Sequence, residues 1–236
     1  TPFYLYSQKN IEDTYEDLIR ALKSDIFFSV KANSNQAILK ILKNCGAGAD
    51  VVSAGELERC IKAGFESNKI IFEGVGKSKN DIEYAINENI KLINIESVDE
   101  IKMINDIAKN LSKIVNVGVR LNPDIDSKTI EKISTGKKTD KFGINLNDID
   151  NIISLSKLSE NINLVSISCH IGSQINNIQI FEKTFLKMKE TASNMISKGV
   201  ALKYVDLGGG FAVDYEDNIN ELNIYKVGEL INSIFN

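Results

Sequence analysis

The chain has 236 residues, 43% of them hydrophobic and 25% charged, with a formal net charge of -4; that is a globular composition, long enough for one large domain or two small ones. Lysines are interspersed with acids, so the basic stripe of a nucleic-acid binder is missing, and no segment reads as a membrane span or a signal peptide. Three cysteines without a CxxC pair, and a single histidine, argue against a metal site and for a reducing cytoplasm.

Near the N-terminus, Ile11, Tyr15, Leu18 and Leu22 recur at helical spacing. The first candidate strand, 26–31, reads Ile-Phe-Phe-Ser-Val-Lys. A second helical stripe (Ile38, Ile41, Leu42, Cys45) stops at Gly46, and a third helix stops at Gly64, both suited to a left-handed cap. Strands follow at 49–53, 69–73 and 91–96. Ser97 with Glu100 reads as a capping box ahead of Ile101, Ile104 and Ile107. A strand at 115–121 leads into a long connection. Then come a strand at 163–169, a helix with Phe181, Phe185, Met188 and Ala192 on one face, and a strand at 203–207.

The strands read as near-continuous apolar runs, as expected when both faces are buried. Repeated βα units predict an α/β fold with a parallel sheet, either doubly wound or closed as a barrel. The first four strands begin 23, 20 and 22 residues apart, an even spacing that favours a barrel. Seven strands are visible where a (β/α)8 TIM barrel has eight. The expectation is an incomplete barrel, truncated before its eighth strand, with its natural N-terminus also missing.

Three segments carry chemistry. Lys31 ends a strongly apolar strand, where desolvation frees an amine for Schiff-base chemistry; a lysine snorkelling from a strand edge is the plainer alternative. After the seventh strand, Gly208, Gly209 and Gly210 let backbone N–H groups converge on a phosphate, or form merely a tight turn. After the sixth, His170 can stack on a planar cofactor or move a proton, and Ser173 can donate to a phosphate oxygen; a structural histidine is equally consistent. Asp50, Glu56 and Arg120 are charges at strand ends or inside strands. Arg120 either contacts a ligand or bridges Asp50 or Glu56. Ser134-Thr135-Gly136 and Lys141-Phe142-Gly143 mark the long connection as a functional insertion or a lysine-rich surface loop.

Taken in order, these segments resemble the fold-type III pyridoxal-phosphate enzymes, the alanine racemase-like barrels, and within them the diaminopimelate decarboxylases. The resemblance runs from Thr1-Pro2-Phe3-Tyr4 through Val30-Lys31-Ala32-Asn33, Gly48 to Ser53, Gly55-Glu56-Leu57, Gly74-Val75-Gly76-Lys77, Ile95-Glu96-Ser97, Arg120-Leu121-Asn122-Pro123, Ile133 to Gly136, Lys141 to Ile144 and His170 to Gln174, to Asp206-Leu207-Gly208-Gly209-Gly210. Each motif is weak alone, and their order over nearly the whole chain is what is specific.

The resemblance implies pyridoxal 5'-phosphate as cofactor and decarboxylation of meso-2,6-diaminopimelate to L-lysine as activity. It makes Lys31 the covalent attachment point and His170 the residue stacked on the ring. Ser173 and Gly208, Gly209 and Gly210 hold the phosphate, while Asp50, Glu56 and Arg120 surround the ring and support Lys31. It implies a cytoplasmic homodimer acting on a small amino acid, with residues 1–8 belonging to a second β-domain and 9–236 to the cofactor barrel. Another basic amino-acid or carboxynorspermidine decarboxylase, or a non-catalytic cofactor-binding fragment, are the alternatives. The chain departs from the family in two ways: Ile130 stands where a histidine is usual, and the Glu-Pro-Gly-Arg segment and the β-domain with its catalytic cysteine are not in it. The chain alone is therefore expected to lack decarboxylase activity.

Overall fold

A computed structural model describes residues 1–125, 142–214 and 222–236. Eight parallel strands form one sheet: β1 Phe27–Ser29, β2 Gly48–Val51, β3 Ile70–Phe72, β4 Leu92–Ile95, β5 Val115–Asn122, β6 Ile144–Asn145, β7 Ile162–Cys169 and β8 Tyr204–Asp206. Their order is β1-β2-β3-β4-β5-β7-β8, so seven strands neighbour one another in chain order around a curled, barrel-like sheet. The short β6 pairs only with Leu121 and Asn122, where β5 runs past the end of β4. Helices alternate with the strands: α1 Gln8–Leu22, α2 Gln36–Cys45, α3 Ala54–Ala63, α4 Lys79–Asn87, α5 Val98–Asn110, α6 Ile149–Leu158, α7 Ile178–Ser197 and α8 Ile224–Phe235.

All seven expected strands are present, with one informative difference. The first stops at Ser29, and Val30–Ala32 make a single 3-10 turn closed by Asn33 N–H donating to the Val30 carbonyl at 3.1 Å. Lys31 therefore sits on the turn above the strand. Serines open several helices: Ser53, Ser78 and Ser97 each accept the N–H three residues on. The reciprocal capping box falls at Ser78 and Asp81. At Ser97 it is only half made, because the Glu100 carboxylate accepts the Glu96 N–H instead. Gly46 and Gly64 take the expected left-handed caps.

The strand faces differ from the expectation of two apolar sides. One file of residues, including Ala49, Val51, Phe72, Ile93, Ile95, Val117, Val119 and Ile167, packs with Leu57, Ile82, Ile101, Ile104 and Met188 of the surrounding helices in the main core. The opposite file faces the lumen. Strand pairing aligns Asn94 with Gly118 and Ser166, and Arg120 with Ser168 and Asp206, across neighbouring strands. Short polar side chains and glycine fill that layer, so the runs look apolar in sequence although only one face is oily. Packing is tight: a Cβ on Gly118 would lie 1.8 Å from Asn94 Oδ1 and 3.0 Å from Ser166 Cβ. Outside the sheet, α8 crosses α1 so closely that a Cβ on Gly228 would lie 1.8 Å from the Ala21 carbonyl oxygen. Among the described residues, no helix is long and apolar enough to cross a membrane.

Candidate active site

The C-terminal ends of the strands bring most of the chemistry-bearing residues to one mouth. Lys31 is exposed there. Its charge acts on both Asp50 and His170, which sit at the ends of β2 and β7. Asp50 is held by Ser29, whose Oγ donates to Oδ2 at 2.7 Å. Burial pushes the Asp50 acid up to about 6, opposed by the Ser29 hydroxyl and then by Lys31. Burial, aided by the charges of Arg120 and Lys31, pushes His170 down to about 4, so its imidazole is neutral at neutral pH.

Arg120 is the buried cation of the lumen. The sequence offered Asp50 or Glu56 as its bridge; the partner is instead Glu96, whose Oε1 accepts from the guanidinium at 2.8 Å. The other oxygen of Glu96 accepts the Gly143 N–H at 2.9 Å, and the Phe142 ring lies 5.1 Å from the Arg120 guanidinium carbon. The Phe142-Gly143 end of the long connection thus returns to the site; Ile130, Ile133, Ser134-Thr135-Gly136 and Lys141 lie outside the described residues. Behind Glu96 stands a second buried pair. Lys77 donates to the Gly74 carbonyl at 2.6 Å and meets Glu100 at 3.3 Å, and the same Glu100 oxygen accepts the Glu96 N–H at 2.8 Å. Glu56 has a local role: its Oε2 accepts the Val52 N–H at 3.0 Å at the start of α3.

The glycine turn and the segment after β7 are built against each other. Gly208 and Gly210 have φ of +71° and +83°, and a Cβ on either would lie 2.3 Å from the Cys169 carbonyl oxygen and 1.9 Å from that of Gly172, respectively. Only glycine fits both positions. The two segments are tied by Ile175 N–H donating to the Gly210 carbonyl at 2.9 Å, and Ala212 N–H donating to that of Ile175 at 3.1 Å. Gly209 faces open space, and Gly208 N–H is fixed by Asp206 Oδ1 at 2.8 Å. Ser173 is exposed on the same rim, next to the residues that Gly210 touches.

Sequence reasoning missed four lumen residues: Glu73, Asn94, Glu96 and Asp206. Asn94 Nδ2 donates to Glu73 Oε1. Burial pushes Asp206 upward, opposed by the Gly208 N–H. The usable signal was the one that found Lys31, a charge placed directly behind an apolar strand; Glu73 and Glu96 carry it equally. Among the described residues, no group of three or more His, Cys, Asp or Glu side chains is placed to hold a metal ion.

An amine at the mouth, a neutral imidazole and a glycine cradle suit a planar aldehyde carrying a phosphate. Residues 8–236 match the family described as pyridoxal-dependent decarboxylase, pyridoxal binding domain. The chain belongs to this family. Pyridoxal phosphate is accordingly its cofactor, and the triple-glycine turn, with open space beside Gly209, fits the group. The pyridoxal-binding domain is 40% identical over 238 residues to a diaminopimelate decarboxylase of Helicobacter pylori, covering 99% of this chain and 58% of that protein. A Helicobacter pylori diaminopimelate decarboxylase structure complexed with L-lysine superposes with a TM-score of 0.96 at 38% identity, covering 99% of this chain and 60% of that one. The M. jannaschii enzyme, also with L-lysine, gives 0.92 at 33% identity, over 100% of this chain and 57% of that one. The domain therefore spans less than two thirds of the length of these relatives.

Proposed function

We propose that the chain is the cofactor barrel of a diaminopimelate decarboxylase, which releases CO2 from meso-2,6-diaminopimelate to give L-lysine. The observation that carries this reading is the meeting of Lys31, His170 and the glycine cradle at one end of the strands, in a chain whose relatives bear that name. Bound pyridoxal phosphate supplies an electron sink for the pair left when CO2 departs.

The chain's own residues bind and orient. Lys31 Nζ is the attachment point, open to the mouth. His170 presents a neutral, flat face rather than a competing cation. Ser173 and the backbone of Gly208, Gly209 and Gly210 hold the phosphate; among the described residues the N–H groups of Gly209 and Gly210 have no hydrogen-bond partner within the chain. Asp50 and Arg120 set the charge beneath Lys31, and Glu56 fixes the turn between β2 and α3. We assign residues 1–8 to a second domain, in line with exposures of 73%, 88% and 88% at Phe3, Tyr4 and Leu5. Residues 9–236 are then the cofactor domain of a cytoplasmic homodimer.

The test is covalent capture. Incubation with pyridoxal phosphate, borohydride reduction and peptide mapping should place the label on Lys31. Lys31→Ala should lose it while keeping its fold by circular dichroism. A label on any other lysine overturns the assignment. For the substrate, lysine release from meso-diaminopimelate by the full-length protein should exceed its turnover of ornithine or arginine.

A further inference from the structure

Glu73 follows β3 directly and points into the lumen, yet the described mouth leaves it without a task. Its Oε1 accepts from Asn94 Nδ2, whereas its Oε2 is buried with no hydrogen-bond partner. Across the strand pair, Asp50 shows the same half-filled pattern. Its Oδ2 accepts from Ser29, and its Oδ1 is buried without a partner. Two neighbouring strands thus present two open carboxylate oxygens and no donor. Arg120, the buried cation of the lumen, donates to Glu96, and neither open oxygen has a hydrogen-bond partner. A buried carboxylate with neither donor nor cation is costly, and the inexpensive remedy is a proton of its own.

We propose that Glu73 is a positioning residue of the site, a neutral carboxylic acid whose Oε2–H donates toward Asp50 Oδ1 and keeps Asp50 as the ionised partner of Lys31. The proton sits on Oε2 because Oε1 is already an acceptor. The surrounding charges agree. Glu73 faces Asp50 on β2, Glu96 after β4, Arg120 on β5 and Asp206 on β8, three acids against one cation. Asp50 acts on it most strongly of these, and burial, the largest effect, pushes Glu73 up to about 8. Asp50 faces Lys31, Asp206 and Arg120 and lies lower, so of the two acids Glu73 keeps the proton. The protonation itself does not depend on the proposed function; only its consequence for the cofactor does.

The protein labelled with carboxyl-13C glutamate provides the test. In the cofactor-free wild type, one glutamate should remain protonated at neutral pH and titrate near 8, and that resonance should be absent from Glu73→Gln. Finding every glutamate ionised at pH 7 overturns the proposal, and this arm needs no variant to fold. The second arm is cofactor affinity against pH. The affinity of Glu73→Gln divided by that of the wild type should rise about fivefold between neutral and alkaline pH, as the wild type gains a second charge beside Asp50. A flat ratio overturns the positioning role. Failure of Lys31 to capture the cofactor would instead sink the function and leave the Glu73 titration standing.

Discussion

Arg120 shows how the site is held at the level of single side chains. Its guanidinium lies against the Phe142 ring and grips Glu96, whose side chain is 3% exposed and also holds the Gly143 N–H. Arg120→Met keeps the bulk and removes the charge, leaving a carboxylate buried with a single N–H. We expect a loss of about 3–5 kcal/mol in urea unfolding, the usual cost of orphaning one half of a buried pair. A loss below about 1 kcal/mol would mean that water reaches Glu96 freely. The place of Lys31 and His170 at the mouth was legible because a lysine or histidine directly behind an apolar strand stands out in one dimension. Glu96 carried the same mark and was passed over, and the partner of Arg120 was misplaced. Pairing depends on which strands lie side by side and at what stagger, and no stretch of sequence records that.

The elements themselves were readable to within a few residues, because apolar runs, serine caps and glycine stops agree about where each begins and ends. The faces were not readable. Asn94, Gly118, Ser166 and Ser168 interrupt the apolar runs with small or short side chains, so a half-polar strand looks uniformly buried. The two-residue β6 was also invisible, being defined only by its pairing with the overrun of β5. Gly118 is the sharpest test of the lumen packing, since the Asn94 amide fills its Cβ position. Gly118→Ala should lower stability by about 1–3 kcal/mol, read as a reduced melting temperature. It should also disturb Glu73 through Asn94, whereas Gly55→Ala, whose nearest neighbour would lie 3.9 Å away, should do neither.

For the molecule as a whole, His170, Asp50 and Glu73, together with Asp206, whose acid burial also raises, shape the dependence of stability on pH. His170 is depressed in the folded state from 6.5 to about 4, so its contribution is lost as pH falls through that window. Asp50, raised from 3.8 to about 6, and Glu73, raised from 4.5 to about 8, act oppositely and cost stability as pH rises through theirs. Of His170, Asp50 and Glu73, only Glu73 still titrates above about 6.5, so the cofactor-free protein should weaken steadily up to about pH 8. In Glu73→Gln that decline should vanish, which chemical denaturation at a series of pH values would show.

The crossing of Gly210 over the Gly172 carbonyl has an evolutionary corollary. The His170 segment and the triple-glycine turn are separated by a full strand and helix in the chain, yet they touch backbone to backbone with no room to spare. A side chain cannot enter at Gly210 unless the Gly172 backbone moves with it. Divergence in this lineage is therefore expected to change the two segments together, and lengthening only one of them should lower the melting temperature.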